Sequence, residues 1–205
     1  MILLLKSENP KCRFNVRTLN EAKPPSEFKS VGLRHAPALV HGEDIAIDLV
    51  DEIIEYIDRN YPEPSLRYNS PDADDATADL FRSFCFFIKE VNKDPKNLMN
   101  ELYRLDRFLD GHEYKFLVSD CPTYIDCRIL AKLHSIRITA RVLKEFEIPV
   151  DLYNLWRYLK NGYEHDAFRK SCPSDQEIIL YWAERKDTPN LTAQKRAQLC
   201  RQKVN

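Results

Sequence analysis

The segment Ser119–Ile138, SDCPTYIDCRILAKLHSIRI, decides the fold of this chain. Thr123 lies three residues before Asp126, with Pro122 in front and an apolar run behind, which is typical of a helix capping box with aspartate replacing the usual glutamate. The Thr123 hydroxyl is expected to accept the backbone N–H of Asp126, and the Asp126 carboxylate to accept that of Thr123. Such a start is needed where water cannot reach the first turn of a helix. The segment therefore predicts a buried helix in the middle of an all-helical domain.

Helical spacing continues on both sides of this segment. The apolar periodicity predicts helices at Ala76–Val91, Pro95–Asp110, Thr123–Lys144, Val150–Asn161, Tyr163–Lys170 and Ser174–Glu184. The last of these opens with a second capping box, in which Ser174 stands three residues before Glu177. The polar and basic stretch Thr192–Asn205 predicts a frayed helix or disorder. Residues 76–205 therefore form one all-helical C-terminal domain.

Residues 1–60 follow a different pattern and predict a small α/β unit. The predicted strands are Ile2–Leu5, Phe14–Thr18, a strand entered through the turn at Ala36–Val40, and Ile45–Ile47, which follows a predicted hairpin turn at His41–Asp44. The predicted helices are a short one beginning in Pro24–Phe28 and one at Asp48–Ile57. Residues 61–75 are rich in proline and acidic side chains, which indicates a linker between the two domains.

Composition limits the classes of function. The 205 residues carry a formal net charge of −1, so no global field attracts nucleic acid or an acidic membrane, and no nucleic-acid partner is expected. The apolar start MILLLK is too short for a signal peptide, and no other apolar run approaches the roughly 18 to 20 residues that span a bilayer. The sequence predicts a soluble protein.

The cysteine pattern favours ordinary reduced thiols. No two cysteines form a C-x-x-C pair and no histidine pair flanks them, so we expect no metal site. The six cysteines are Cys12, Cys85, Cys121, Cys127, Cys172 and Cys200. Several are expected to be buried in the core, where free cysteine behaves as a small apolar residue.

The capping-box helix also carries a resemblance. DCRILAKLHSIRI, followed by FEIPVDLYNLWRYLKNGYEHDAFRKSCPSDQEII, resembles the chloride intracellular channel family within the glutathione transferase superfamily. The resemblance covers Tyr114–Ile179 closely and Phe14–Ile57 less closely, and it does not extend before Phe14. It implies a fold of class α+β/α, glutathione-transferase-like, in which a truncated thioredoxin-type N-terminal unit joins an all-α C-terminal domain. It also implies a cytoplasmic protein that associates with membranes and acts in anion conductance or membrane trafficking.

The resemblance gives Pro37 and Asp48 as cofactor-binding candidates. In the family a proline before the third strand is cis and turns its backbone toward glutathione, so Pro37 is expected to be cis; a trans proline in an ordinary loop is the alternative. The family then places an acidic residue and a serine or threonine at a helix start, where they hold the glutathione carboxylate. Here that pair is Asp48 and Leu49. The leucine side chain cannot donate a hydrogen bond to a carboxylate, and Asp48 alone is expected to cap its own helix. Glutathione is therefore only a weak expectation, and otherwise no cofactor is predicted.

Cys12 is the weak catalytic candidate. The family carries a Cys-Pro-Phe-Cys/Ser motif at the start of its first helix, where helix-end N–H groups lower the thiol pKa. Only the eight residues Lys6–Arg13 separate the two predicted strands Ile2–Leu5 and Phe14–Thr18. A parallel crossover needs about a dozen residues or more, so that helix is not expected to fit. Lys11 and Arg13 beside Cys12 could still lower its pKa.

A missing helix would leave an apolar sheet face exposed. Such a face predicts a homodimer or a protein partner through the N-terminal unit, or a rearranged first strand, and the resemblance adds membrane lipids as partners. The basic side of Thr123–Lys144 could suit an interfacial helix, although a core helix with a solvated edge is favoured. Two alternative functions stay open: a glutathione-dependent oxidoreductase and a non-catalytic scaffold.

Two further features are interpreted as core packing rather than as ligand sites. His134 lies on the apolar face of the capped helix, where a hydrogen-bonded core histidine is expected. An aromatic cluster follows on the next helices, and packing between helices is its favoured interpretation; its members are Tyr153, Trp156, Tyr158 and Tyr163.

Overall fold

The chain divides into two compact units. A computed structural model describes residues 1–20, 23–89, 91 and 93–201, with the side chains of residues 200 and 201 left out. Ile2–Ser65 form the N-terminal unit, and Leu66–Asn205 together with Met1 form the helical unit. The predicted linker at 61–75 ends earlier than expected, because a helix begins at Pro71 behind the N-cap Ser70.

The N-terminal unit contains one hairpin and short helices. Its elements are α1 (Ile2–Lys6), α2 (Ser26–Ser30), β1 (Leu39–His41), β2 (Ile45–Ile47) and α3 (Val50–Asn60). The strands β1 and β2 pair antiparallel, with Val40 opposite Ala46, and Gly42 adopts a positive φ in the turn between them. Because glycine has no Cβ, it takes this conformation without steric cost.

The strand predicted for Ile2–Leu5 is wrong, because these residues form α1. Four apolar residues in a row do not distinguish a strand from a buried helical turn, and leucine favours a helix. Phe14–Thr18 is not a strand either. A strand needs a hydrogen-bonded partner, and the partner expected for it is helical.

Residues 7–13, in the link between the two predicted strands, contain no helix. A helix does open the N-terminal unit, but it is built from Ile2–Lys6 and lies before the link rather than within it. No thiol lies in this helix, since Cys12 follows it in a turn where its N–H donates to the Asn9 carbonyl at 2.9 Å.

The helical unit is arranged around one long central helix. Its elements are α4 (Pro71–Thr77), α5 (Leu80–Ile88), α6 (Lys96–Asp110), α7 (Tyr124–Lys144), α8 (Tyr153–Glu164), α9 (Asp166–Ser171), α10 (Asp175–Ala183) and α11 (Ala193–Arg201). The helix α7 packs against α5, α8 and α10. Its buried side chains include Ile129, Leu130, Leu133 and Ile136. This is the buried helix that the capping-box segment predicts.

Most helix boundaries fall within a few residues of prediction, with one exception. The helix predicted for Ala76–Val91 is divided into α4 and α5, and residue 90 of that prediction lies outside the described residues. The helical part of the predicted tail is α11, and residues 202–205 of that prediction are likewise outside. Within the described ranges, no helix combines the length and the apolar character needed to cross a bilayer.

Candidate functional site

The Pro37 loop leads directly into β1. The Ala36–Pro37 peptide bond is cis, as the sequence predicts, and Pro37 itself is exposed. The Glu63–Pro64 bond is also cis. The Pro37 loop thus has the backbone conformation that the family resemblance implies for a glutathione-facing proline.

Asp48 binds this loop rather than its own helix. One carboxylate oxygen accepts the backbone N–H groups of Arg34 at 2.7 Å and His35 at 3.1 Å. These hydrogen bonds favour the charged form and lower the pKa of Asp48 below its usual value. The N-cap of α3 is Leu49, with no side-chain cap, so the predicted capping role of Asp48 is wrong. The structure therefore brings Asp48 to the residues that precede Pro37.

Cys12 does not have the environment of a reactive thiol. The residue is only 4 % exposed, and burial raises its pKa more than the nearby Lys6 ammonium lowers it. The expected lowering of its pKa by Lys11 and Arg13 is wrong, because desolvation is the larger effect. At neutral pH Cys12 is a neutral thiol.

The thiols of the helical unit are similar. Burial raises the pKa values of Cys85 and Cys172, and it raises that of Cys127 to about 12. Cys121 is exposed, and the Cys200 side chain lies outside the described residues. Across the residues that the structure describes, no group of three or more metal-ligating side chains comes together.

The four structural candidates form two capping boxes, one buried and one exposed. At the start of α7, Asp126 accepts the Thr123 backbone N–H and the Thr123 hydroxyl, each at 2.8 Å. At the start of α10, Glu177 accepts the corresponding two groups of Ser174, each at 2.9 Å. Both helices begin where their sequences predict. The two boxes differ in burial, since Asp126 is fully buried and Glu177 is exposed.

His134 is a hydrogen-bonded residue of the core. Its Nδ1 lies 2.7 Å from the Tyr163 hydroxyl, and Arg137 Nε donates to the same oxygen at 3.2 Å. The Tyr163 hydroxyl therefore contacts both the imidazole and the guanidinium, which holds the His134 side chain between α7 and α8. Burial and then the Arg137 charge lower the His134 pKa, and the Pro173 carbonyl opposes them.

The aromatic cluster packs as predicted, except for one member. Tyr158 is buried, and Trp156 and Tyr163 pack against the core. Tyr153 is exposed and does not belong to it. Sequence periodicity missed this because Tyr153 is the first residue of α8, where the face of a helix is not yet defined.

Comparisons with known proteins agree on one fold. No family model matches the chain. It is 45 % identical over 197 residues to chloride intracellular channel exl-1 of Caenorhabditis elegans, covering 95 % of this chain and 82 % of that protein. Among solved structures, the CLIC homologue EXC-4 from C. elegans has a TM-score of 0.79 at 24 % identity, covering 95 % of this chain and 80 % of that one. The dehydroascorbate reductase of Chlamydomonas reinhardtii has a TM-score of 0.76 at 22 % identity, with coverages of 88 % and 86 %. The two structural likenesses establish a glutathione-transferase-like fold.

Proposed function

The chain belongs to the chloride intracellular channel family, and from that premise we propose that it is a cytoplasmic protein that associates with membranes and acts in anion conductance or membrane trafficking. The observation that carries this proposal is the 45 % identity over 95 % of the chain to a relative of that name. Identity of this extent covers both units rather than one shared domain.

The surface of the N-terminal unit supports a membrane or protein contact. Val40 and Ala46 lie directly opposite each other on β1 and β2, and both are exposed. Leu49 and Val50, at the start of α3, are also exposed. Apolar side chains exposed in this way favour a lipid surface, a second copy of the chain or a protein partner. We assign the membrane contact to this part of the chain.

Acidic substitutions on this surface are expected to weaken membrane binding. The double variant Val40→Asp/Leu49→Asp should reduce binding to phosphatidylcholine/phosphatidylserine vesicles by about tenfold or more, because two apolar side chains no longer leave water. Vesicle flotation measures binding, and chloride efflux from loaded liposomes measures conductance. The chloride efflux that the unaltered protein supports should fall in the variant in the same proportion as vesicle binding.

Val150→Asp is the matched control. Val150 is 82 % exposed but belongs to the helical unit, so its substitution should leave vesicle binding unchanged. Equal losses in the two variants would contradict the assignment of the contact. Efflux absent despite binding would favour membrane trafficking, and neither activity in a folded protein would favour the scaffold.

A glutathione-dependent oxidoreductase is the second candidate. The Pro37 loop, whose Arg34 and His35 N–H groups donate to Asp48, lies where the family resemblance places glutathione, and glutathione is the ligand we propose for this loop. The buried thiol of Cys12, with its raised pKa, argues against catalysis. We therefore propose that glutathione binds at this loop without a catalytic role for Cys12.

Cys12→Ser tests this second candidate. Any reduction of dehydroascorbate by glutathione should remain within about twofold of the original rate, because a neutral buried thiol is a poor nucleophile. Coupled oxidation of NADPH by glutathione reductase measures the rate. Turnover well above background that disappears in Cys12→Ser would instead establish the oxidoreductase.

A further inference from the structure

A cavity of about 900 Å³ lies in the helical unit among α5, α7 and α10. Its wall is mostly apolar and includes Phe81, Ala131 and Trp182. Pockets of a few hundred to about a thousand cubic ångströms hold small organic molecules. The cavity is therefore large enough for one such molecule, and its wall favours an apolar one.

Three cationic side chains line the same cavity. Lys89 follows α5, Lys132 lies on α7, and Arg185 follows α10. All three charges act on the Cys85 thiol: each lowers its pKa, although burial has the larger effect and raises it. Two of them contact aromatic rings: Lys132 Nζ lies 5.3 Å from the Phe81 ring centre, and Arg185 lies 4.3 Å from that of Tyr181. Positive charge thus converges on one region of an apolar wall.

Ser135 adds a neutral hydrogen-bond donor to the wall. Trp182 Nε1 donates to the Ser135 hydroxyl oxygen at 2.9 Å, which leaves the Ser135 hydrogen for another acceptor. His134 lies in the same wall, and its buried Nε2 has no hydrogen-bond partner among the described residues. Glu177 also lines the cavity, but it is held in the capping box at the start of α10, whereas Arg185 follows the end of that helix. An entering molecule would meet the Ser135 hydrogen and positive charge at its polar end.

We propose that this cavity binds a single long-chain carboxylate, with the hydrocarbon chain on the apolar wall and the carboxylate beside Lys132 and Arg185. A carboxylate accepts hydrogen bonds and also balances the positive charge, whereas a neutral head group leaves that charge unbalanced. The site uses residues of the helical unit alone, so it goes beyond the membrane role proposed above.

Dodecanoate is the probe that tests the site on the full-length chain. Isothermal titration should give one binding site, with a change in tryptophan fluorescence because Trp182 lies in the wall. Lys132→Gln/Arg185→Gln should weaken dodecanoate binding about tenfold, through the loss of charge-assisted hydrogen bonds. The neutral analogue 1-dodecanol should likewise bind at least about tenfold more weakly than dodecanoate.

The matched control removes two cations elsewhere on the helical unit. Lys160 and Arg169 are exposed and pair with Glu164 and Asp166, respectively. Lys160→Gln/Arg169→Gln should therefore leave dodecanoate binding unchanged, and far-UV circular dichroism verifies that both double variants fold.

Alkylation of cysteines locates the bound molecule. Dodecanoate should slow iodoacetamide labelling of Cys85, which lines the cavity, and leave that of the exposed Cys121 unchanged. Peptide mass spectrometry reads both rates in one sample. Equal affinity for dodecanol, equal binding by the Lys132→Gln/Arg185→Gln variant, or unprotected Cys85 would each overturn the proposal.

Discussion

Replacing Asp126 with alanine is expected to lower the free energy of unfolding of the helical unit by about 4 kcal/mol, because several buried donors lose their shared acceptor at once. Asp126 is 0 % exposed. One oxygen accepts the N–H and the hydroxyl of Thr123, each at 2.8 Å, and the other accepts the Leu117 N–H and the Tyr158 hydroxyl, each at 3.0 Å. Asp126 therefore joins the start of α7 to the preceding loop and to α8.

The exposed capping box provides the control for this prediction. Glu177→Ala removes the same motif from α10, but water can replace its hydrogen bonds, so the expected cost is about 1 kcal/mol. Urea denaturation followed by tryptophan fluorescence measures both variants, since Trp156 and Trp182 belong to the helical unit. Equal costs for the two substitutions would mean that burial of Asp126 adds nothing.

The same carboxyl group should give stability a pH dependence. Burial raises the pKa of Asp126 above its usual value, although its four hydrogen bonds oppose this. A raised pKa in the folded state means that protonation stabilises the fold, and this contribution is lost as the pH rises through the folded pKa. Relative to Asp126→Asn, the protein should thus lose stability as the pH rises above about 4. A stability difference that is constant or grows with pH would contradict this sign.

The helical unit could be predicted because its signals are local and long. The box from Thr123 to Asp126 determines the start of α7, and the apolar spacing along its 21 residues determines its buried face. The N-terminal unit gives weaker signals. Ile2–Leu5 is too short to show a period, so its helix was not predicted, whereas the β1–β2 turn at Gly42 was, because its chemistry is confined to neighbouring residues.

The candidate site could be predicted only in part. The cis state of Pro37 follows from family resemblance, but the role of Asp48 depends on backbone groups of Arg34 and His35, more than a dozen residues away in sequence. Burial of Cys12 likewise depends on the folded chain, so the basic neighbours in sequence gave the wrong direction for its pKa. Charged neighbours in sequence therefore do not predict the pKa of a thiol when desolvation has the larger effect.

A buried ion pair in the N-terminal unit is the other contact that sequence order conceals, and breaking it is expected to cost about 3 to 5 kcal/mol. Lys6 Nζ lies 2.8 Å from Asp58 Oδ1 and donates to the Pro62 carbonyl at 3.1 Å, and the two side chains are 0 % and 7 % exposed. Asp58→Ala leaves the Lys6 ammonium buried without its counter-charge. Hydrogen exchange of peptides from α1 and α3 measures the local free energy of unfolding, because both tryptophans lie in the other unit.

The double variant Lys6→Met/Asp58→Leu separates the two origins of this cost. If the loss comes from an uncompensated buried charge, replacing both partners with apolar residues of similar size should recover most of it, leaving a change within about 1 kcal/mol of the original protein. The single variants Lys6→Met and Asp58→Leu complete the double-mutant cycle. Additive losses in the double variant would show that the two side chains act independently and that the pair does not hold α1 against α3.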